Sequence, residues 1–144
     1  MTKLAANLTM LYNEVDFLDR FGVAATSGFK GVEYLFPYPY PKEQLAEMLS
    51  QHKLVQVLHN LPAGDWSKGE RGLACLPGRD AEFREGIAKA IDYAVALDCP
   101  RIHVMAGLVP QDLQRDAVRP VYLDNLRFAA EEAAKAGRDV LIEP

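Results

Sequence analysis

Five short apolar runs alternate strictly with four amphipathic segments, and this alternation constrains the chain more than any other feature of its sequence. The runs, read as strands, lie at 3–10, 31–36, 54–60, 101–107 and 139–144. Asn13 is placed to cap the first helix with Asp16 in its first turn. Phe17, Leu18, Phe21, Ala24 and Ala25 then recur at helical spacing up to Gly28. Leu45, Met48 and Leu49 mark the second helix. Asp80 is expected to cap the third, whose stripe is Phe83, Ile87, Ala90, Ile91, Ala94 and Leu97. A fourth is expected over about 118–135, with Pro120 in its first turn, where a missing N–H costs nothing. Its inward face reads Leu123, Leu126, Ala130 and Ala133, and Gly137 ends it.

Such alternation argues a parallel sheet covered by helices. Two architectures satisfy it: an open doubly wound sheet, or a (β/α)₈ TIM barrel cut short. Length favours the open sheet, which would be complete at 144 residues. Against it, no glycine-rich phosphate loop follows the first strand. Polar residues also recur at the carboxyl ends of successive strands (Asn7, Glu33, His59, Asn60 and Glu143), as they do on a barrel's catalytic face. The expectation is one domain, residues 1–144, forming slightly more than the first half of a barrel, from the first strand to the fifth. Its open sheet edges would invite self-association.

Between the third strand and Asp80 run roughly twenty residues, where a βα connection usually takes about 2–6. They follow directly on His59 and Asn60 and include Asp65, Trp66, Glu70 and Arg71, and a loop of this length and content more often holds a ligand than closes a gap. Arg71 is the candidate grip on a substrate carboxylate, because a guanidinium offers two parallel hydrogen bonds; the alternative is a surface pair with Glu70 or Asp65. His59 could hydrogen-bond a substrate hydroxyl or be a satisfied core histidine. Asn60, Glu70 and Asn7 join Arg71 and His59 as candidate substrate contacts. Glu33, set among Val32, Tyr34 and Leu35, must be paired to stay charged and is read as support for the site. His103 reads as structural, and Tyr38, Tyr40 and Trp66 as possible pocket walls.

Sixteen basic residues against 20 acidic ones, net charge −4, leave no electrostatic footprint for nucleic acid. No apolar run approaches the about 20 residues a membrane helix needs. Two cysteines without a CxxC partner and no signal peptide point to the cytoplasm.

HNLPAGDW followed by GERG resembles the hydroxypyruvate isomerase family, within the xylose-isomerase-like TIM barrels. AANLTMLYNE, FLDRF, GFKGVEYLFPY, PGR and the terminal LIEP are similar in kind. The resemblance implies aldose–ketose isomerisation of small hydroxy-oxo acids, hydroxypyruvate to tartronate semialdehyde, with a divalent ion, Mg²⁺ or Mn²⁺. A relative acting on 2-oxo-tetronate shares the loop, and residues 101–107 look more like that branch. By the same resemblance Glu143 of LIEP is both a metal ligand and the catalytic acid/base, the following Pro144 holding the backbone extended. The other ligands would lie outside this chain. Two readings from other classes stand beside it: a metal-dependent endonuclease, which three histidines and a negative charge oppose, and a non-catalytic α/β domain or inactive fragment.

Overall fold

Each strand pairs in parallel with the strand before it in sequence, and this decides between the two architectures. In a computed structural model that describes residues 2–143, the sheet order is β1-β2-β3-β4-β5. A doubly wound sheet reverses direction at a switch point, and none occurs. Monotonic winding with a helix after each of the first four strands is barrel winding.

The strands are β1 (Ala5–Asn7), β2 (Gly31–Tyr34), β3 (Val55–Asn60), β4 (Arg101–His103) and β5 (Asp139–Leu141). The helices are α1 (Asp19–Thr26), α2 (Lys42–His52), α3 (Asp80–Ala96) and α4 (Arg115–Lys135), with one 3₁₀ turn at Trp66–Lys68. Strand side chains alternate between two environments. Ala6, Val32, Tyr34, Ile102 and Val104 are buried against Phe21, Ala24, Leu45, Phe83, Ile87 and Ala90 of the helices. Ala5, Gly31 and Val57 share the opposite, concave face: a Cβ placed on Gly31 would lie 3.2 Å from Val57 and 3.4 Å from Ala5.

One irregularity reorients the third strand. Val32 pairs with Gln56 but the next residue, Glu33, pairs with Leu58, so Val57 is an extra residue. Such a bulge shifts the alternation by one from there on. Without it His59 would face the concave side; with it His59 faces the helices and Asn60 turns inward.

Several expected boundaries move. Helix α1 starts at Asp19, not at Asn13, whose side-chain amide donates to the Met10 carbonyl in a preceding turn. Asp80 is the first residue of α3 and makes no cap bond; Arg79 holds the cap position. Helix α4 begins at Arg115, which puts Pro120 at the sixth residue, beyond the first turn. The carbonyl it leaves without a partner belongs to exposed Asp116, where water can supply the bond. On the same helix Ala130 is exposed and the buried positions are Val118, Asn125, Ala129 and Ala133. Asn125 is satisfied there by donating to the Ala74 carbonyl at 3.0 Å. The first, second, fourth and fifth strands end sooner than the apolar runs that announced them, and Pro144 lies outside the described residues.

Candidate active site at the carboxyl ends of the strands

Strand register brings three of the expected polar residues, Asn7, Glu33 and Asn60, together with His103, to the concave side of one end of the sheet. Asn7 lies opposite Glu33, and Asn60 opposite His103. Asn7 Nδ2 donates to Glu33 Oε1 at 3.1 Å, and Asn7 Oδ1 accepts from the Thr9 N–H at 3.0 Å. Asn7 is therefore committed to a neighbour and to its own turn, and the second carboxylate oxygen of Glu33 remains open to a ligand. Glu143 lies two residues beyond Leu141, the register partner of His103, at the same end of the sheet; it is exposed and has no ion-pair partner among the described residues.

Asn60 is engaged on every side. Its N–H donates to the Leu35 carbonyl, its own carbonyl accepts from the Tyr38 hydroxyl at 2.6 Å, and Oδ1 meets His103 Nδ1 at 3.2 Å. Its Nδ2 donates to the sulfur of Met105 at 3.5 Å. Buried, and with each of its polar groups already on a protein partner, Asn60 holds His103, and the geometry speaks against the expected direct contact with substrate. His59 is corrected more sharply. It is fully buried on the helix side, Nε2 against the Ala90 carbonyl at 3.2 Å and Nδ1 against Gln56 Nε2 at 3.5 Å. Burial pushes its imidazole down to about 4, so the ring is neutral. The core-histidine alternative is the one the geometry supports.

The long loop, 61–79, is built around Glu70. Its carboxylate accepts from the Asp65 N–H at 2.5 Å and from Arg79 at 2.8 and 3.3 Å. Arg79, the last residue of PGR and given no role of its own from sequence, lowers the Glu70 carboxyl below its ordinary value through these hydrogen bonds. Glu70 is thus an internal brace, which corrects its reading as a substrate contact. Gly64 is required beside it, since a Cβ there would stand 2.0 Å from the carboxylate oxygen.

Arg71 takes neither partner expected for a surface pair. Its guanidinium stacks 3.8 Å above the Trp66 ring, and Nη1 donates to the carbonyls of Trp66 and Glu70 at 3.2 and 2.7 Å. Trp66 in turn meets Phe36, just past β2, edge to face at 5.2 Å. The stack orients a planar cation that still has Nη2 and Nε donors to offer, the geometry suited to a carboxylate. On its other side the loop is fastened to the residues after β4. Gly72 bridges Ala106, and Cys75 N–H donates to the Ala106 carbonyl at 2.7 Å. At Gly72, with φ of 119°, a Cβ would fall 2.4 Å from the Met105 carbonyl oxygen.

Tyr38 and Tyr40 do not wall this mouth. Tyr38 packs on His59 and Tyr93, and Tyr40 stacks on Phe17 at 4.9 Å. Trp66 alone of the three stands at the mouth, partly exposed. Cys75 and Cys99 are free and buried, and burial raises both thiols, so neither suits a nucleophile. His103 was readable as inward-facing from Ile102 and Val104 on either side of it, had the strand face been assigned. Among the described residues no three His, Cys, Asp or Glu side chains converge to hold a metal ion.

Comparison with known proteins agrees with the winding. The family model described as a xylose isomerase-like TIM barrel matches residues 21–144. A 2-oxo-tetronate isomerase of Cupriavidus necator is 54% identical over the whole chain, which covers 55% of that protein. The hydroxypyruvate isomerase of Escherichia coli is 49% identical, again over the whole chain and 56% of the relative. A crystal structure from Brucella melitensis described as an AP endonuclease of family 2 superposes with a TM-score of 0.96 at 48% identity, covering 100% of this chain and 55% of that one. A D-tagatose 3-epimerase-like structure at 15% identity and TM-score 0.74 shares the fold. The chain spans about half the length of the curated relatives it matches.

Proposed function

This chain belongs to the xylose isomerase-like TIM barrel family, and from that premise we propose that residues 1–144 form a single domain unit within an isomerase of small hydroxy-oxo acids. The observation that carries this reading is identity of 54% and 49%, end to end, with enzymes named for 2-oxo-tetronate and hydroxypyruvate isomerisation. The reaction moves two protons: a C–H on the hydroxyl-bearing carbon beside the ketone is lost, an enediolate forms, the proton returns to the former ketone carbon, and the hydroxyl proton passes to the former ketone oxygen. In this reading Arg71 holds the substrate carboxylate with the donors left free by its stack on Trp66. Glu143 takes and returns the proton, and Glu33, steadied by Asn7, lines the mouth.

Glu143 is also proposed as one ligand of a Mg²⁺ or Mn²⁺ ion whose other ligands come from outside this chain; when bound, such an ion polarises the carbonyl and hydroxyl. Two free thiols support a cytoplasmic setting, and no described helix is long and apolar enough to cross a membrane. The net charge of −4 favours a small acid over a nucleic acid as substrate, despite the description carried by the Brucella structure.

The test is to give the full-length protein hydroxypyruvate and 2-oxo-tetronate in D₂O with Mn²⁺. Isomerisation of at least one, with deuterium entering the carbon skeleton, is expected. Inertness toward both would overturn the proposal, and the ratio of the two rates assigns the substrate.

A further inference from the structure

His103 is the one histidine on the concave face, and its surroundings fix which ring nitrogen carries the proton. The argument begins at Met105. A thioether sulfur accepts hydrogen bonds and cannot donate them, so the Asn60 atom 3.5 Å from it must be the amide NH₂. That orientation turns Asn60 Oδ1 toward His103 Nδ1, 3.2 Å away. A carbonyl oxygen can only accept, so the hydrogen sits on Nδ1. The neutral ring therefore carries an unprotonated Nε2, which makes no hydrogen bond to any described residue. The backbone that carries this amide is itself held, its N–H donating to the Leu35 carbonyl and its carbonyl accepting from the Tyr38 hydroxyl. The β3 bulge is what brings Asn60 to this face.

We propose that His103 is a substrate-binding residue whose Nε2 accepts a hydrogen bond from a substrate hydroxyl, and that Asn60 is the positioning residue that fixes its tautomer. The assignment of the hydroxyl to an isomerase substrate rests on the function proposed above; the tautomer does not. A small hydroxy acid presents two things to this mouth, a carboxylate and a hydroxyl. Arg71 offers only donors, which suit the first; His103 Nε2 offers an acceptor, which suits the second. An analogue without the hydroxyl would leave that acceptor dry and unpaired, so the pair selects hydroxylated acids.

Two measurements on the full-length protein test this. Long-range ¹H–¹⁵N correlation spectra of histidine-labelled protein should show His103 as the Nδ1–H tautomer. Adding glycerate, which carries carboxylate and hydroxyl but has no carbonyl to react, should shift the Nε2 resonance. Asn60→Ala should mix the tautomers while Asn60→Asp, which keeps an acceptor, restores one. In kinetics, His103→Asn should raise KM about tenfold, the worth of one such hydrogen bond. His103→Gln, whose amide reaches the Nε2 position, should recover part of it.

An Nε2–H tautomer, or an Nε2 resonance indifferent to glycerate, overturns the proposal. So does an unchanged KM in His103→Asn when the parent isomerises normally. If the parent isomerises nothing and glycerate still moves Nε2, the function falls and the binding role stands.

Discussion

Mild acidification should destabilise this protein through His59. The ring lies in a closed relay: the Tyr34 hydroxyl donates to Gln56 Oε1, Gln56 Nε2 donates to His59 Nδ1, and His59 Nε2–H donates to the Ala90 carbonyl. A second proton on Nδ1 would face the Gln56 NH₂, and flipping that amide would take Oε1 from Tyr34. The folded ring accordingly protonates only at about 4, against 6.5 in the unfolded chain. A depressed folded value means the unfolded state binds the proton first, so stability is complete above pH 6.5, falls below it and levels off under about pH 4. Each tenfold in proton affinity is worth about 1.36 kcal/mol, so the full loss is roughly 3 kcal/mol and the loss at pH 5 about 2 kcal/mol. With a urea slope of about 2 kcal/mol/M, the midpoint should drop by about 1 M between pH 7 and pH 5. Urea titrations at both pH values check this, with His59→Gln as the control that lacks the titrating ring. An equal drop in the control, or no drop in the parent, would refute the assignment.

Other perturbations follow from the loop and the mouth. Gly72→Ala drives a Cβ into the Met105 carbonyl and should cost about 1–3 kcal/mol as strain or displace the loop, read as a lower Tm together with faster proteolytic nicking after Asp65. In the full-length protein Arg71→Lys should raise KM about tenfold with kcat nearly unchanged, since charge survives and the fork does not; an unchanged KM for both substrates removes the carboxylate role. Glu143→Gln should lower turnover by at least about a hundredfold, and near-normal turnover would remove Glu143 from the proton transfer. The 144-residue chain on its own, with β1 and β5 as sheet edges, should self-associate in analytical ultracentrifugation, and a monodisperse monomer would count against open edges as sticky surfaces.

The order and kind of the elements were legible because hydrophobic period reports them directly: every strand and helix of the structure has its stripe in the sequence. What the period does not report is an inserted residue. Val57 leaves no mark in composition, yet it exchanges the faces of His59 and Asn60, and with them the roles expected of both. The loop's importance was readable from its length, but its internal logic was not. Arg79 reaches Glu70 across nine positions, and Arg71 prefers the face of Trp66 to either nearby carboxylate. Those choices depend on how the chain turns between them. Asn13 and Asp80 failed as caps because cap preference is a local tendency: the Asn13 side chain is taken by the Met10 carbonyl, and the cap position of α3 falls to Arg79, whose side chain pairs with Glu70 and Glu82.

The unbroken order from β1 to β5 also sets a timetable. Each strand from β2 to β5 finds its partner in the strand made immediately before it, so none of these four waits for a neighbour not yet translated. Closure at each step spans a single helix, which keeps the entropic toll of each pairing modest. The sheet therefore grows at one margin only. At every moment of synthesis the newest strand is the growing edge, which the next helix and strand cover, while β1 stays an edge throughout.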